Sequence, residues 1–97
     1  EFTALFACAD VMAIGAIRAL GDAGKRVPED VSVISIDDSD LALHSEVPIT
    51  SLPHPKEKLG ARAAEVLLDM IDGKKGEHTV EFDTRVVERQ SVKDLKK

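Results

Sequence analysis

The sequence predicts an α/β fold in which helices pack on the faces of a mostly parallel sheet, a three-layer sandwich. Short runs of apolar and β-branched residues alternate along the chain with longer segments of helical spacing. The connections between successive runs are long enough to cross over a sheet, and such crossovers join parallel strands. The predicted order is strand, helix, strand, loop, strand, helix, strand. At 97 residues the set is small for an independent α/β domain, so we interpret residues 1–97 as a fragment.

The first part of the chain predicts two strands with a helix between them. Residues 3–8 form a short, continuously apolar run, which is typical of a strand buried on both faces. Asp10 offers an N-cap for a helix over residues 11–22, and Gly24 follows where glycine commonly ends a helix. Residues 31–36 combine valine, isoleucine and serine and predict the second strand.

The second part predicts a short strand, a longer helix and a closing strand. Residues 37–47 predict a loop with one helical turn, and residues 49–52, between two prolines, predict the third strand. Pro55 suits the first turn of the next helix, because its missing amide costs nothing there. Residues 79–89 are expected to form an edge hairpin or extended strand, and residues 90–97 a polar tail. The apolar face of the helix that Gly73 ends consists of Leu59, Ala63, Val66, Leu67, Met70 and Ile71.

Composition and charge exclude several classes of function. The chain carries 13 basic and 18 acidic residues, a net charge of −5, which argues against binding a phosphate backbone with this segment. The single cysteine, Cys8, cannot form an internal disulfide and is expected to be a small buried side chain. No stretch is long enough to cross a membrane, so no membrane partner is expected, and no signal peptide is visible.

Catalytic and metal-binding constellations are absent from the sequence. It has no glycine-rich phosphate loop, no serine nucleophile elbow and no cluster of histidine and cysteine with metal-ligand spacing. Asp37 and Asp38 are adjacent at a strand end and point in different directions, so they are a poor acid–base pair. We therefore predict that the protein is not an enzyme and needs no cofactor or metal.

The carboxyl ends of the three predicted strands are the place to look for a ligand site, because open α/β sheets bind ligands there. Each end taken singly has a structural explanation: Asp10 caps a helix, Asp38 or Ser39 makes a turn, and His54 precedes a proline as a substitute for a helix N-cap. Asp40 is expected to cap the short helical turn that follows. Asp37 is not needed for any of these. A carboxylate accepts two hydrogen bonds in fixed geometry and so can recognise vicinal hydroxyls of a sugar. We predict that Asp37 contacts a ligand.

The first helix carries more apolar surface than one sheet can cover. Met12, Ile14, Ile17 and Arg18 cannot all face the sheet. Surplus apolar surface of this kind indicates a binding partner. A helix enclosed within a larger domain would show the same pattern, and the sequence leaves both possibilities open.

Several stretches in the same order closely resemble the effector domain of the LacI/GalR family of bacterial repressors. They are residues 6–16 (FACADVMAIGA), 27–38 (VPEDVSVISIDD), 48–52 (PITSL), 59–60 (LG) and 88–91 (ERQS). The resemblance covers almost the whole chain. It implies a fold similar to periplasmic sugar-binding proteins, with two α/β subdomains that flank a cleft. Residues 1–97 would be most of the C-terminal subdomain, and the DNA-binding domain would lie outside this chain.

The resemblance also implies roles for single positions. The position of Asp37 commonly binds the effector, and that of Ala9 is often an asparagine that touches it, a hydrogen bond that alanine removes. The position of His54 is often glutamine near the ligand, and Asp10 is a further candidate contact. The family's dimer interface falls on Ile14, Ile17, Arg18 and Ser45, which would account for the surplus apolar face.

These implications lead to a functional expectation. We expect residues 1–97 to be part of a cytoplasmic, homodimeric transcriptional regulator. The regulator would bind a small sugar or related metabolite with its effector domain and operator DNA with another domain. A narrower likeness, in residues 45–47, 54–56 and 89–91, is to arabinose-operon repressors of Gram-positive bacteria, which carry a GntR-type DNA-binding domain. The alternative is an exported sugar-binding protein of a transporter, which an upstream signal peptide would favour. A third class, a sugar- or phosphate-processing enzyme, lacks a catalytic set.

Overall fold

The computed structural model describes residues 1–76 and 78–96. The contacts divide the chain into two units, one formed by Glu1–Pro53 with the segment that starts at Arg85, and one formed by His54–Thr84. The helices and strands, in chain order, are β1 (Ala4–Ala7), α1 (Asp10–Asp22), β2 (Ser32–Asp37), α2 (Asp40–His44), β3 (Thr50–Pro53) and α3 (Lys56–Ile71).

The first unit is built on a parallel sheet in the order β1-β2-β3. Leu5 of β1 lies opposite Val33 of β2, and Ile34 of β2 lies opposite Thr50 of β3. The predicted α/β class and the parallel strands are therefore confirmed, with each strand boundary within two residues of its expected position. Since every strand runs the same way, all three carboxyl ends lie at one edge of the sheet.

Helix α1 packs on β1 and β2, and α2 packs against α1. Ala13 is fully buried at this contact, and its small side chain lets the helix approach the sheet closely. Burial of the aliphatic side chains is the main favourable term that holds these elements together. The buried apolar core consists of Ala7, Ala13, Val31, Val33, Ala42 and Ile49.

Three local predictions at the strand ends are wrong. The N-cap of α1 is Ala9 rather than Asp10, and no side chain caps the helix, because the Asp10 carboxylate is turned toward the sheet. The N-cap of α2 is Ser39 rather than Asp40, again without a side-chain capping bond. Cys8, expected inside, is exposed, because β1 ends at Ala7 and the next side chain leaves the core.

The segment after Thr84 differs most from its prediction. In the part of the chain that the structure describes, residues 79–89 form no strand, only an isolated antiparallel bridge between Val87 and Ser51. The predicted polar tail is wrong at Ser91, which is fully buried, whereas Gln90 and residues 92–96 are exposed. The Ser91 hydroxyl donates to the Val33 carbonyl and accepts the Thr50 amide at 2.8 Å. Docking to two strands therefore orders this segment without a regular ladder.

The second unit consists of α3 and the residues that follow it. Pro55 was predicted within the first turn of α3 and is instead its N-cap, immediately before the first helical residue. At the other end, Gly73 follows the C-cap residue and has a φ of 73°. The predicted apolar residues lie on α3, but no residue of this helix is buried. Val66 is partly buried, whereas Leu59, Ala63, Leu67, Met70 and Ile71 are exposed. A groove of about 360 Å³ is lined on the helix by Leu59, Arg62, Ala63, Val66, Leu67 and Met70, and beyond it by His78, Val80 and Phe82.

Candidate functional site

The edge of the sheet where the three strands end brings together two of the predicted site segments. Ala9 and Asp10 follow β1, and Asp37 ends β2, opposite Pro53 of β3. A hydrogen bond of 2.6 Å from the Ser39 amide to the Asp10 carboxylate joins the segments after β1 and β2 directly. The structure thus places Ala9, Asp10 and Asp37 at one edge, as the topology requires.

Asp10 is the centre of a buried polar network at this edge. Its side chain is 1% exposed. One carboxylate oxygen accepts the hydroxyls of Ser35 and Ser51, the latter at 2.8 Å. The other oxygen accepts the amide and the hydroxyl of Ser39 at 2.6 and 2.7 Å. A buried carboxylate is stable only when hydrogen bonds replace its lost hydration, and four bonds meet that requirement.

A row of small residues across the sheet makes room for this carboxylate. Ala7, Ser35 and Ser51 lie opposite one another on β1, β2 and β3, and both serines are fully buried. Larger side chains in this row would occupy the space that Asp10 fills. The two buried serines also supply the hydroxyl donors, so the sheet is shaped and polarised for one acidic side chain.

Burial and hydrogen bonding act in opposite directions on the pKa of Asp10. Burial raises the pKa of the carboxyl group, because it penalises the charged form. The bonds from Ser35, from both donors of Ser39, and from Ser51 lower it, and together they outweigh burial, so that the pKa lies below its ordinary value. Asp10 is therefore a carboxylate at neutral pH.

The turn after β2 has an unusual backbone. Asp37 has a φ of 124° and Asp38 a φ of 51°. Side chains other than glycine rarely adopt positive φ, and each such residue stores strain of about 1–3 kcal/mol. The Asp38 amide donates to the Ser51 hydroxyl at 2.9 Å, and Ser51 in turn bonds to Asp10. The network around Asp10 thus includes the strained turn itself.

Arg89 supports the same turn from the end of the chain. Its guanidinium group lies 2.6 Å from the Asp38 carboxylate and donates to the Ile49 carbonyl at 2.8 Å. The side chains of Arg89 and Asp38 are only 14% and 21% exposed, so water screens this ion pair less than it would at the surface. The Arg89 amide also donates to the Thr50 hydroxyl at 2.9 Å.

The remaining predicted effector contact lies in the other unit. His54 directly follows the last residue of β3, opens the second unit and is exposed. The structure also shows residues that the sequence prediction missed, namely Ser35, Ser51 and Arg89, and it gives Ser39, predicted to shape the turn, a direct bond to Asp10. Serines within predicted buried strands were a signal for Ser35 and Ser51, because a buried hydroxyl needs a partner. Arg89 gave no such local signal.

The four residues predicted at a dimer interface line one groove. Ile14, Ile17 and Arg18 of α1 and Ser45 after α2 contribute to a cavity of about 680 Å³. Ile14 and Ile17 are partly buried against the core, and Arg18 is exposed. The rest of the rim is mostly charged and includes Asp22, Lys25, Arg26, Glu29, His44 and Glu46.

The described residues, 1–76 and 78–96, offer neither a cluster of metal ligands nor a membrane-spanning helix. No group of three or more metal-binding side chains comes together among them. Nor does any of their helices have the length and the apolar composition to cross a membrane.

Comparison with known proteins identifies the family. Residues 2–92 match the model of the periplasmic binding protein-like domain, and the chain belongs to that family. Its relatives are transcriptional regulators, and it corresponds to the effector-binding domain of LacI-family members. The HTH-type transcriptional repressor PurR of Pasteurella multocida (strain Pm70) is 45% identical over 92 residues, which are 94% of this chain and 28% of that protein.

Solved structures of regulators show the same fold. A transcriptional regulator CelR–cellobiose complex is 42% identical with a TM-score of 0.76, over 91% of this chain and 27% of that one. The lac repressor dimer bound to operator and the anti-inducer ONPF is 29% identical with a TM-score of 0.78, over 93% and 32%. The chain therefore spans roughly a third or less of the regulators it matches.

Proposed function

We propose that this chain is the C-terminal subdomain of the effector-binding domain of a cytoplasmic, homodimeric transcriptional repressor. A small sugar or related metabolite binds at the edge that Asp37 occupies, in a cleft whose other wall belongs to a subdomain outside residues 1–97. Binding shifts the regulator between two arrangements that differ in affinity for operator DNA. Operator DNA is bound by another domain of the protein, and this subdomain performs no catalysis.

The observation that carries the proposal is the position of Asp37. A carboxylate stands at the carboxyl end of the central strand, on a strained backbone. Residues other than glycine that have a strained backbone are concentrated at functional sites, where the surrounding structure holds them in that conformation. The bonds of the Asp10 carboxylate are made to Ser35, Ser39 and Ser51, so the Asp10 network does not depend on the Asp37 side chain.

The comparisons support the sugar class and the dimer. CelR, 42% identical over 91% of this chain, was solved as a complex with cellobiose, and the lac repressor as a dimer on its operator. The likeness of residues 45–47, 54–56 and 89–91 to arabinose-operon repressors makes arabinose the second sugar to test, and a GntR-type DNA-binding domain the one to look for upstream.

We do not propose that Asp10 or Ala9 forms a hydrogen bond with the effector. Both Asp10 oxygens already accept bonds from serines of this chain, and its side chain is 1% exposed. We therefore assign Asp10 to the architecture of the edge. Ala9, which is partly buried at the N-cap of α1, contributes shape without a hydrogen bond, and His54 stays a candidate contact.

The test of Asp37 uses the full-length protein. Thermal shift and calorimetry with cellobiose and with arabinose identify the sugar, and Asp37→Ala is then titrated with it. Loss of a hydrogen bond to a charged group costs about 1.5–3 kcal/mol, so we expect affinity to fall roughly 10- to 100-fold.

The matched control for that test is Asp83→Ala, which removes an exposed carboxylate from the second unit and should leave the affinity unchanged. Unchanged affinity of Asp37→Ala would refute the assignment of Asp37. If neither sugar binds to the unmodified protein, cellobiose and arabinose are both excluded as its effector.

A further inference from the structure

We propose that Asp10 and Arg89 are positioning residues for the turn that presents Asp37: they hold Asp37 and Asp38 in their left-handed backbone conformation without touching the effector. The inference rests on the proposed function only for the role of Asp37. The structural part, that two charged side chains remote in sequence hold one strained turn, stands on the described contacts alone.

The first anchor reaches the turn through serines. Asp10 fixes Ser39, the residue after the turn, by both its amide and its hydroxyl, at 2.6 and 2.7 Å. Asp10 also fixes the Ser51 hydroxyl at 2.8 Å, and that hydroxyl accepts the Asp38 amide at 2.9 Å. The two amides that flank the Cα atom of Asp38, its own and that of Ser39, are thus both held by hydrogen bonds.

The second anchor holds the Asp38 side chain. The planar guanidinium group of Arg89 donates with one nitrogen to the Asp38 carboxylate, at 2.6 Å, and with another to the Ile49 carbonyl, at 2.8 Å. An arginine bound in this fork has little rotational freedom left. Because Asp38 is tied to the start of β3, it cannot rotate toward the ordinary right-handed region without breaking an ion pair.

Strain explains why two anchors are needed. Two successive residues other than glycine at positive φ relax unless the surroundings over-determine them. Relaxation of the turn would turn the Asp37 side chain away from its present direction. A misplacement of about 1 Å in a polar contact is enough to weaken recognition strongly. Asp10 and Arg89 therefore affect binding through Asp37.

The first measurement needs no sugar. Amide hydrogen exchange, resolved at single residues, is compared in the full-length protein and in its Asp10→Ala and Arg89→Leu variants. We expect exchange at Asp38 to rise at least tenfold in both variants, while exchange in residues 32–36 of β2 changes less than about twofold. Asp10→Asn should retain most of the protection, because its amide oxygen can still accept Ser39 while the serine hydroxyls rotate to accept its NH₂ group.

A matched control separates positioning from general stability. Val31→Ala removes buried side-chain volume just before the start of β2, at the opposite end from Asp37, and should lower the melting temperature without selective exchange at Asp38. Unchanged exchange at Asp38 in the two anchor variants, or an equal rise throughout the sheet, would overturn the proposal.

The second measurement uses cellobiose, or arabinose if that is the sugar bound, in a double-mutant cycle between Asp10 and Asp37. We expect Asp10→Ala to weaken binding at least tenfold in the unmodified background and less than twofold in Asp37→Ala, since the route through Asp37 is then already lost. Additive effects would contradict the positioning role. If Asp37→Ala alone leaves affinity unchanged, the proposed role of Asp37 in effector binding fails, while the exchange result still decides the structural part.

Discussion

At the scale of single residues, Asp37 combines a polar side chain with a backbone conformation that suits glycine. Its φ of 124° lies where residues with a Cβ atom are rarely found. Asp37 has interactions of its own, so a single truncation does not isolate the free-energy cost of its backbone conformation. Two truncations that differ only in the Cβ atom isolate it.

We expect Asp37→Gly to be more stable than Asp37→Ala. Both variants lose the same side-chain interactions, but glycine adopts positive φ without the steric cost that alanine retains. The difference in the free energy of unfolding should be about 1 kcal/mol, measured by urea denaturation of the full-length protein. Both variants should bind sugar equally poorly. Equal stability would show that the backbone at Asp37 is not strained.

Asp10 predicts a dependence of stability on pH. Its pKa is lower in the folded state than its ordinary value of about 3.9, so the folded state favours the charged form. The stabilisation is present in full above the unfolded-state pKa and is lost as the pH falls through the lower folded-state pKa. The difference in melting temperature between the unmodified protein and Asp10→Asn should therefore be constant from pH 7 to about pH 5, and shrink below about pH 4. A difference that grows on acidification would contradict the bonded carboxylate.

At the scale of elements, the sequence predicted those strands and helices in which apolar residues recur at a regular spacing. β1, β2, β3, α1 and α3 are all found, because apolar residues recur along each of them at the spacing of a strand or a helix. The fourth strand was wrong because residues 87–91 are held by partners more than 30 residues away, such as Ser51 for Val87. Contacts between residues so far apart in the chain leave no period in the sequence.

The candidate site was predictable to a similar degree. Topology placed Asp37 and Asp10 at one edge, since parallel strands end together. The bonds of Asp10 were not predictable, because a first-turn aspartate is equally compatible with capping. Which of the two forms depends on the space between α1 and the sheet, and that space is set by Ala7, Ser35 and Ser51 on three separate strands.

The docking of the last segment can be tested at Ser91. Ser91→Ala removes the acceptor of the buried Thr50 amide and the donor to Val33. An unsatisfied buried group costs about 1–3 kcal/mol, so the free energy of unfolding should fall by that amount. Ser32→Ala is the matched control: its hydroxyl accepts the Lys93 amide at an exposed site, and its loss should cost less than about 0.5 kcal/mol. Equal effects would mean that burial of Ser91 contributes nothing.

At the scale of the whole protein, the groove on α1 is where we expect the second subunit. Partly buried isoleucines sit beside exposed charges there, and apolar surface with a polar rim is typical of subunit contacts. Two observations support this proposal: the composition of the groove, and the likeness to the lac repressor, which was solved as a dimer and shares the fold of this chain at a TM-score of 0.78.

We expect Arg18→Glu to weaken the dimer of the full-length protein at least tenfold. Arg18 is exposed, so its reversal spares the core, but it replaces a cation of the charged groove rim by an anion and so disturbs the charge complementarity of the contact. Sedimentation velocity measures the dissociation, and Arg85→Glu, at an exposed position outside the groove, should leave the dimer intact. A dimer as tight as that of the unmodified protein would place the interface elsewhere.

The bridge at Val87 also bears on solubility. β3 is the outer strand of the described sheet, and Val87 exchanges two backbone hydrogen bonds with Ser51, while the Gln90 amide donates to the Pro48 carbonyl. An outer strand with open amides and carbonyls is a template on which another molecule can add a strand. The segment that contains Val87 and Arg89 thus also covers this edge. Detachment of the segment would expose an aggregation-prone strand and, at the same time, remove the Arg89 ion pair that holds the turn.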